Sequence, residues 1–391
     1  MRLPDIFYRD VQRRLVERLG AAGFDGMLVT HPADVAYLVG FCYAVTERPV
    51  YLWVGTTGDL LLLVPELDRD YATAQRVHAE VVTYPEYPGV VAPEEHLVRH
   101  LGSRVALDAA VGHSGGLSVA ARDRLAGLLP GVRWLTTSAV ADLRLHKTPE
   151  EVELHRQAAD ICDRMLAAGR ELVTDALRRG GPLPREGEIV RHVVGHGTDL
   201  VHERYEHVVY TTKLAGGLVY AGPNSAHPHG LPSSRRVQVG DTLILSLGAA
   251  VLSRFVESER TFVVGEPTPD QRRYFEVAHR AQEVGTQAMQ VGRSCASVNA
   301  ECLDVVRDAG MGQYLRHRQG HGIGVQQHEP PWVEDGDPTV LAPGMVLSSE
   351  PGVYVPGHGG YRISDTVLVT PSGPERLTTY PRSLEESVIA P

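Results

Sequence analysis

Between Gly320 and Asp365 the chain gathers His321, His328, Glu329, Glu350, His358, Arg362 and Asp365 among glycines and short apolar runs. The motifs are GHGIGVQQHEPP, GMVLSSEPGVYV and GGYRISD. Imidazoles and carboxylates beside glycine-permitted turns suit two kinds of site, one that holds a metal ion and one that moves protons. Upstream, the turn-rich loop AGPNSAHPHG presents His227 and His229. GDTLILSLG reads as a strand with Leu243, Leu245 and Leu247 on one face and Thr242, Ile244 and Ser246 on the other. In FVESERTF the same alternation sets Glu257 and Glu259 side by side, opposite Ser258 and Arg260. Structural roles compete with each of these. A lone glutamate pair on a strand is commonly a solvated face, and His321 between glycines also suits main-chain bonding. His227 and His358 read as loop residues, Arg316 and His317 as partners of surface carboxylates, and Asp365 as a brace.

The elements that must carry these residues are legible from periodicity. Phe7–Leu19 reads as an amphipathic helix, Gly26–Thr30 as a strand and Asp34–Val39 as a short helix. Val50–Val54 and Asp59–Val64 flank a turn and predict a hairpin. Further strands are expected at Glu80–Tyr84, Arg104–Leu107 and Val132–Leu135, with a helix over Ser118–Leu129. A boundary falls at Leu145-His146-Lys147, giving domains 1–145 and 146–391. There Thr148-Pro149-Glu150-Glu151 is a capping box with proline at the first helical position. Leu154, Ala158, Ile161, Met165, Ala168 and Leu172 continue at helical spacing to about Gly180. A second helix over Glu186–Val194 and extended segments at Val208–Tyr210 and Leu218–Tyr220 follow. Thr268-Pro269-Asp270-Gln271 opens the same order again, with helices to about Gln290 and from Ser294 to about Gly310. Two helix–helix–strand runs predict an α+β domain whose halves repeat around a curved sheet.

Composition excludes some partners. With 38 basic and 48 acidic residues the formal charge is −10, contrary to general nucleic-acid binding. The longest aliphatic run, Leu60–Val64, is too short to span a bilayer, and the polar start MRLPDIFYRDVQRR lacks the apolar core of a secretory signal. Cys42, Cys162, Cys295 and Cys302 have no paired spacing and read as thiols in a reducing cytoplasm.

Taken in order, GPNSAHPHG, GD, ERTF, GHGIG, HEPP, SEPGVYVPG and RISDT resemble the creatinase, prolidase and methionine aminopeptidase superfamily over nearly the whole chain. The resemblance implies an N-terminal creatinase-like α/β domain followed by a pseudo-twofold "pita-bread" catalytic domain with a curved antiparallel sheet. It also implies a homodimer in which one chain's N-terminal domain closes the other's site. In the metallopeptidase members two aspartates, a histidine and two glutamates hold two metal ions. Carried onto this chain, those positions are Ser246, Glu257, His321, Glu350 and Ser364. Serine hydroxyls are neutral, weak ligands, whereas a dinuclear site needs carboxylates to offset two dications.

Creatinase does without metal, and this chain is similar to it at Ser246 and at Glu259-Arg260-Thr261. That similarity implies His229 as general acid–base, with Glu259 and Glu350 holding a cationic group and Arg48 pairing with a substrate carboxylate across the dimer. The second such arginine is replaced near Trp332. The expectation drawn here is therefore a cytoplasmic, metal-independent hydrolase of C–N bonds acting on a small cationic or zwitterionic amidine or amide, with no cofactor. Its catalytic residues would be His229, His321, Glu350, Glu257 and Glu259, and its substrate contacts His328, Arg362, Arg48, Ser246 and Ser364. General acid–base assistance of about 10²–10⁴-fold suits an activated substrate better than a plain amide. One alternative is an Xaa-Pro dipeptidase or aminopeptidase with a single divalent metal on Glu257, His321 and Glu350, joined by His229. The other is a non-catalytic binding module on the same fold.

Overall fold

The computed structural model describes residues 3–87, 89–205 and 215–390. The extended segment expected at Val208–Tyr210 lies outside them. The chain divides into two compact units, one ending at Arg144 and one beginning at Leu145.

The first unit carries helices α1 (Asp5–Ala21), α2 (Pro32–Val39), α3 (Arg69–Ala74), α4 (Pro93–Leu101), α5 (Val119–Leu128) and α6 (Ala139–Arg144). Its strands are β1 (Gly26–Val29), β2 (Tyr51–Gly55), β3 (Leu60–Pro65), β4 (Glu80–Tyr84), β5 (Ala110–His113) and β6 (Arg133–Thr136). They form one mixed sheet in the order β4-β3-β2-β1-β5-β6. The expected hairpin is β2–β3, with Tyr51 opposite Leu63. The strand expected at Arg104–Leu107 is not formed: Gly102–Arg104 is a 3₁₀ turn and Leu107 is 85% exposed. The strand lies instead at Ala110–His113, parallel to β1 on one side and β6 on the other. Ala-Val-Gly-His has weak intrinsic strand preference. Its place in the interior of the sheet favours small residues, since a Cβ on Gly112 would come within 2.9 Å of Thr137.

In the second unit α7 (Pro149–Arg178) begins at the expected box, where Thr148 Oγ1 accepts from Glu151 N and the Glu151 carboxylate accepts from Thr148 N. Helix α8 (Glu186–Arg204) runs well past Val194. Gly195 and Gly197 blur its sequence signal, yet a Cβ at Gly197 would sit 2.5 Å from Met165 Sδ on α7, so close helix packing explains the glycine. Strands β7 (Ala215–Ala221), β8 (Thr242–Val251) and β9 (Arg254–Val264) follow as an antiparallel sheet. Then come α9 (Pro269–Ala288), α10 (Cys295–Asp308), β10 (Gly320–Gly322), β11 (Glu329–Val333) and β12 (Val346–Ser349). The hairpin β13 (Gly352–Val355) and β14 (Gly359–Arg362) leads to β15 (Asp365–Thr370), β16 (Gly373–Arg376), α11 (Leu384–Ser387) and β17 (Val388–Ile389). The second sheet is β11-β10-β12-β15-β16, antiparallel throughout, and β17 joins the edge of β9.

The two sheets meet at one bridge. Glu259 N donates to Ser364 O and Ser364 N to Glu259 O, each at 3.1 Å. The strand face bearing Glu257 and Glu259 thereby turns inward, and both side chains are buried rather than solvated. All four cysteines are free and buried. Among the described residues no helix is long and apolar enough to cross a membrane.

Candidate active site

Where the sheets meet, three strands and one strand end aim polar side chains at the same point. Glu257 comes from β9, His321 from β10, Ser348 from β12 and Glu350 from the residue after β12. His321 Nδ1 donates to Gly322 O at 3.0 Å, which fixes the ring and turns Nε2 toward the carboxylates. Nε2 lies 3.4 Å from Glu257 Oε1 and 3.3 Å from Glu350 Oε1, without an aligned hydrogen bond to either. Ser348 Oγ donates to Glu257 Oε1, and Gln327 Nε2 lies 3.5 Å from Glu257 Oε2. The exposed His328 ring stands 4.0 Å from that of His321, centroid to centroid.

A second buried group adjoins the first. Arg362 Nε lies 2.6 Å from Glu259 Oε2, a close ionic contact in which the N–H does not point at the oxygen. Ser246 Oγ donates to the other oxygen, Glu259 Oε1. His317 Nδ1 donates to Arg318 O at 2.7 Å and its Nε2 pairs with Tyr354 OH at 2.8 Å. A cavity of about 200 Å³, lined in part by Ser246, Gly217, Phe255 and Gln327, opens beside the cluster and suits a small substrate.

Burial opposes charge on every group here; neighbours outweigh it at Glu257, Glu350 and His321, whereas at Glu259 burial prevails over Arg362 and Ser246 and pushes the carboxyl up to about 8. For Glu350, burial is outweighed by the close imidazolium of His321, and its carboxyl is held at about 2. Burial likewise resists the charging of His321, but Glu257 and Glu350 raise it well above the ordinary histidine range. Glu257 is shifted down, with burial opposed by His321. Burial lowers His328, and so does the charge of His321, which keeps the exposed ring neutral at neutral pH. Burial also lowers His317, with His229 and Arg362 adding to the shift.

The structure brings together Glu257, Glu259, His321, His328, Glu350, Arg362, Ser246 and Ser364 from the sequence analysis. His229 sits exposed on the loop after the 3₁₀ turn Gly222–Ala226, near enough to act on His317. That loop is shaped by fully buried Glu186, which accepts from Ala221 N, Asn224 Nδ2 and Ser233 N. Arg48 belongs to the other unit, where it pairs with Glu86 and with Glu47 at 2.8 Å. Arg316 and His317 do not pair with carboxylates as expected: Arg316 donates to the carbonyls of Gln313 and Leu315. Ser348, Glu186 and Tyr354 were not singled out in the sequence. Ser348 and Tyr354 both lie in the SSEPGVYV motif, whereas Glu186 carried no signal.

The donor set can be tested against a metal ion. Glu257, His321 and His328 bring ligand atoms within 4.8 Å of one another, and Glu350 flanks them. Two carboxylates, Glu257 buried and Glu350 half-buried, around an imidazole nitrogen without an aligned partner carry the charge that one dication neutralises. Ser246 and Ser364 add none, and Ser246 is engaged by Glu259. The residues fit one divalent cation; they do not fit a pair.

The sequence profile of metallopeptidase family M24 matches residues 153–371, and that of the creatinase/prolidase N-terminal domain matches residues 12–146. The Xaa-Pro dipeptidase of Pyrococcus furiosus is 34% identical over 252 residues, covering 63% of this chain and 66% of that protein. The Xaa-Pro dipeptidase of Lactobacillus delbrueckii subsp. lactis is 30% identical, covering 93% of this chain and 95% of that one. The crystal structure of a prolidase from Thermococcus sibiricus superposes with a TM-score of 0.85 at 26% identity, covering 96% and 98% of the two chains.

These findings correct three expectations: the metal-independent, creatinase-like hydrolase as the function, the metal-independent label, and the absence of a cofactor. The family and its relatives point to a metal-dependent peptidase. The physical reason lies in the charge that remains. The sequence argument weighed the two carboxylates missing at Ser246 and Ser364, but Glu257, Glu350 and His321 still converge, with His328 beside them. The chain is a hydrolase of C–N bonds and belongs to metallopeptidase family M24.

Proposed function

We propose that this chain is an Xaa-Pro dipeptidase working with one divalent cation held by Glu257, His321, His328 and Glu350. The observation that carries the reading is the convergence of Glu257 and Glu350 on His321 Nε2, a buried nitrogen with no aligned hydrogen-bond partner. When bound there, a divalent cation supplies Lewis-acid polarisation of the scissile carbonyl.

The chain's own residues do the rest. Glu257 is committed to Ser348 and stays in place as a fixed negative charge. Glu350 is ionised and 16% exposed, so its carboxylate takes the proton of the attacking water. Neutral His328, at the exposed edge, holds the substrate carbonyl through a ring N–H. The Glu350 carboxylate then gives that proton to the leaving nitrogen, and His229, exposed on the loop near His317, contacts the substrate. Ser246 and Gln327 line the small cavity and limit the substrate to a short peptide. Four free, buried thiols suit a reducing compartment, and we place the enzyme in the cytoplasm as a homodimer.

Purified protein stripped with a chelator and reloaded with Mn²⁺, Co²⁺ or Zn²⁺ tests the reading against Xaa-Pro and matched Xaa-Ala dipeptides. The expected result is turnover of Xaa-Pro that is abolished by stripping and restored by at least one ion. Failure to hydrolyse Xaa-Pro dipeptides with all three ions defeats it.

A further inference from the structure

We propose that the Arg362 guanidinium, held by Glu259, stands in place of a second metal ion, so that the centre takes one metal ion and one arginine. The proposal rests on the single-cation reading above and explains why the site stops at one.

Ser246 on β8 and Glu259 on β9 are directly opposed. Cβ atoms of directly opposed residues lie about 4.5–5.5 Å apart. A carboxylate at position 259 therefore reaches the volume that one at position 246 would fill. It does so here, since Ser246 Oγ donates to Glu259 Oε1. The acidic group has moved one strand across while staying in the same pocket.

What that carboxylate meets is an arginine. Arg362 Nε is 2.6 Å from Glu259 Oε2, and the side chains are 4% and 5% exposed. A guanidinium does not lose its proton in a protein, so its charge is permanent. Its field reaches Glu350, Tyr354 and Tyr220 as well. At the other missing carboxylate position, Ser364 Oγ lies 3.3 Å from Ser348 Oγ, which is engaged by Glu257. Neither serine is left to balance a second dication, which would be placed beside a fixed positive charge. A positive charge supplied by the chain cannot dissociate or be chelated, unlike a second ion.

The test is metal stoichiometry, with Mn²⁺ as the probe. Wild-type protein equilibrated with Mn²⁺ and freed of excess is expected to hold one ion per chain, with the electron paramagnetic resonance of isolated Mn²⁺. Ser246→Asp, Glu259→Ser, Arg362→Gln and Ser364→Glu together remove the guanidinium and return the carboxylates to the opposing strand and the following motif. That variant is expected to hold two ions with a spin-coupled spectrum. Glu259→Gln alone is a milder probe that keeps the shape of the side chain. It weakens the hold on the guanidinium beside Glu350, and at least a tenfold weaker Mn²⁺ affinity is expected with the far-ultraviolet circular dichroism unchanged.

Two ions in the wild type overturn the proposal while leaving the dipeptidase reading intact. So does an unchanged affinity in Glu259→Gln, or a folded quadruple variant that still takes one ion. A wild type that binds one ion but hydrolyses no Xaa-Pro dipeptide supports the proposal and overturns only the dipeptidase reading.

Discussion

Replacing Arg260 with methionine should destabilise the catalytic unit by about 4 kcal/mol, because this arginine ties the two sheets together at the site. Its side chain and that of Asp365 are fully buried. Nε donates to Pro381 O at 2.9 Å and to Tyr380 O at 3.2 Å. Nη1 donates to Glu259 O at 2.8 Å and Ser364 O at 2.7 Å, and Nη2 to Asp365 Oδ1 at 2.8 Å and Tyr380 O at 2.6 Å. Methionine matches the length of the stem and removes every donor. The damage is uneven. Glu259 O and Ser364 O keep each other's backbone N–H, and Asp365 keeps Thr378, Gln282 and Arg376. The loss therefore falls mainly on the half-buried carbonyl of Tyr380, at about 1–3 kcal/mol if left unsatisfied, since exposed Pro381 can turn its carbonyl to water. Loss of one charged partner from Asp365 brings the sum to about 4 kcal/mol, within the roughly 3–5 kcal/mol seen when a buried pair is broken.

For a domain of this size that loss lowers the unfolding temperature by about 8–16 °C, at about 2–4 °C per kcal/mol. Urea unfolding followed by circular dichroism measures it, with an unchanged m-value showing that only the folded state was altered. Arg260→Lys, which keeps the charge but not the planar fork, should fall between wild type and Arg260→Met. A loss below about 1 kcal/mol in the methionine variant would refute the reasoning, since the network would then contribute little beyond packing.

Two further predictions address pH and close packing. His155 is fully buried on α7 with Nδ1 donating to Phe255 O at 2.7 Å, and burial, reinforced by Lys147, lowers its pKa to about 3. The unfolded chain, near 6.5, takes up the proton first, so stability present above pH 6.5 is lost as pH falls toward 3, by at most about 5 kcal/mol. His155→Gln should flatten the slope of unfolding free energy against pH across that window, and an unchanged slope counts against the assignment. At Gly320 a Cβ would lie 1.9 Å from the Ser348 carbonyl, backbone against backbone. Gly320→Ala should therefore cost about 1–3 kcal/mol in urea unfolding and weaken Mn²⁺ binding by displacing His321 from Glu257. Wild-type affinity in that variant would show that the strands can separate without disturbing the site.

Much of the scaffold was open to reading because its causes are local. The capping boxes at Thr148 and Thr268 are satisfied within four residues, and both helices start where they predict. Period-two alternation placed Glu257 and Glu259 on one face, and the histidine and glutamate motifs identified His321 and Glu350. The strand at Ala110–His113 escaped because its small residues suit a sheet interior that no local pattern announces. Helix α8 was read short because the glycines that weaken its signal answer to the helix packed against it.

The partner of each polar group was decided only by the tertiary structure. Glu259 meets Arg362 about a hundred residues later, and Glu257 meets Ser348 across a similar span. Lys147, just before α7, is buried against Glu329, 3.0 Å away. Such pairings follow from which strands abut when two sheets close on each other, a geometry that residue spacing does not encode. The motifs' resemblance to the metallopeptidases implied that Ser246 and Ser364 stand where two ligand carboxylates would be. Folding determined what remained: Glu257, His321 and Glu350 gathered around one point, with His328 at its edge and a permanent positive charge beside it.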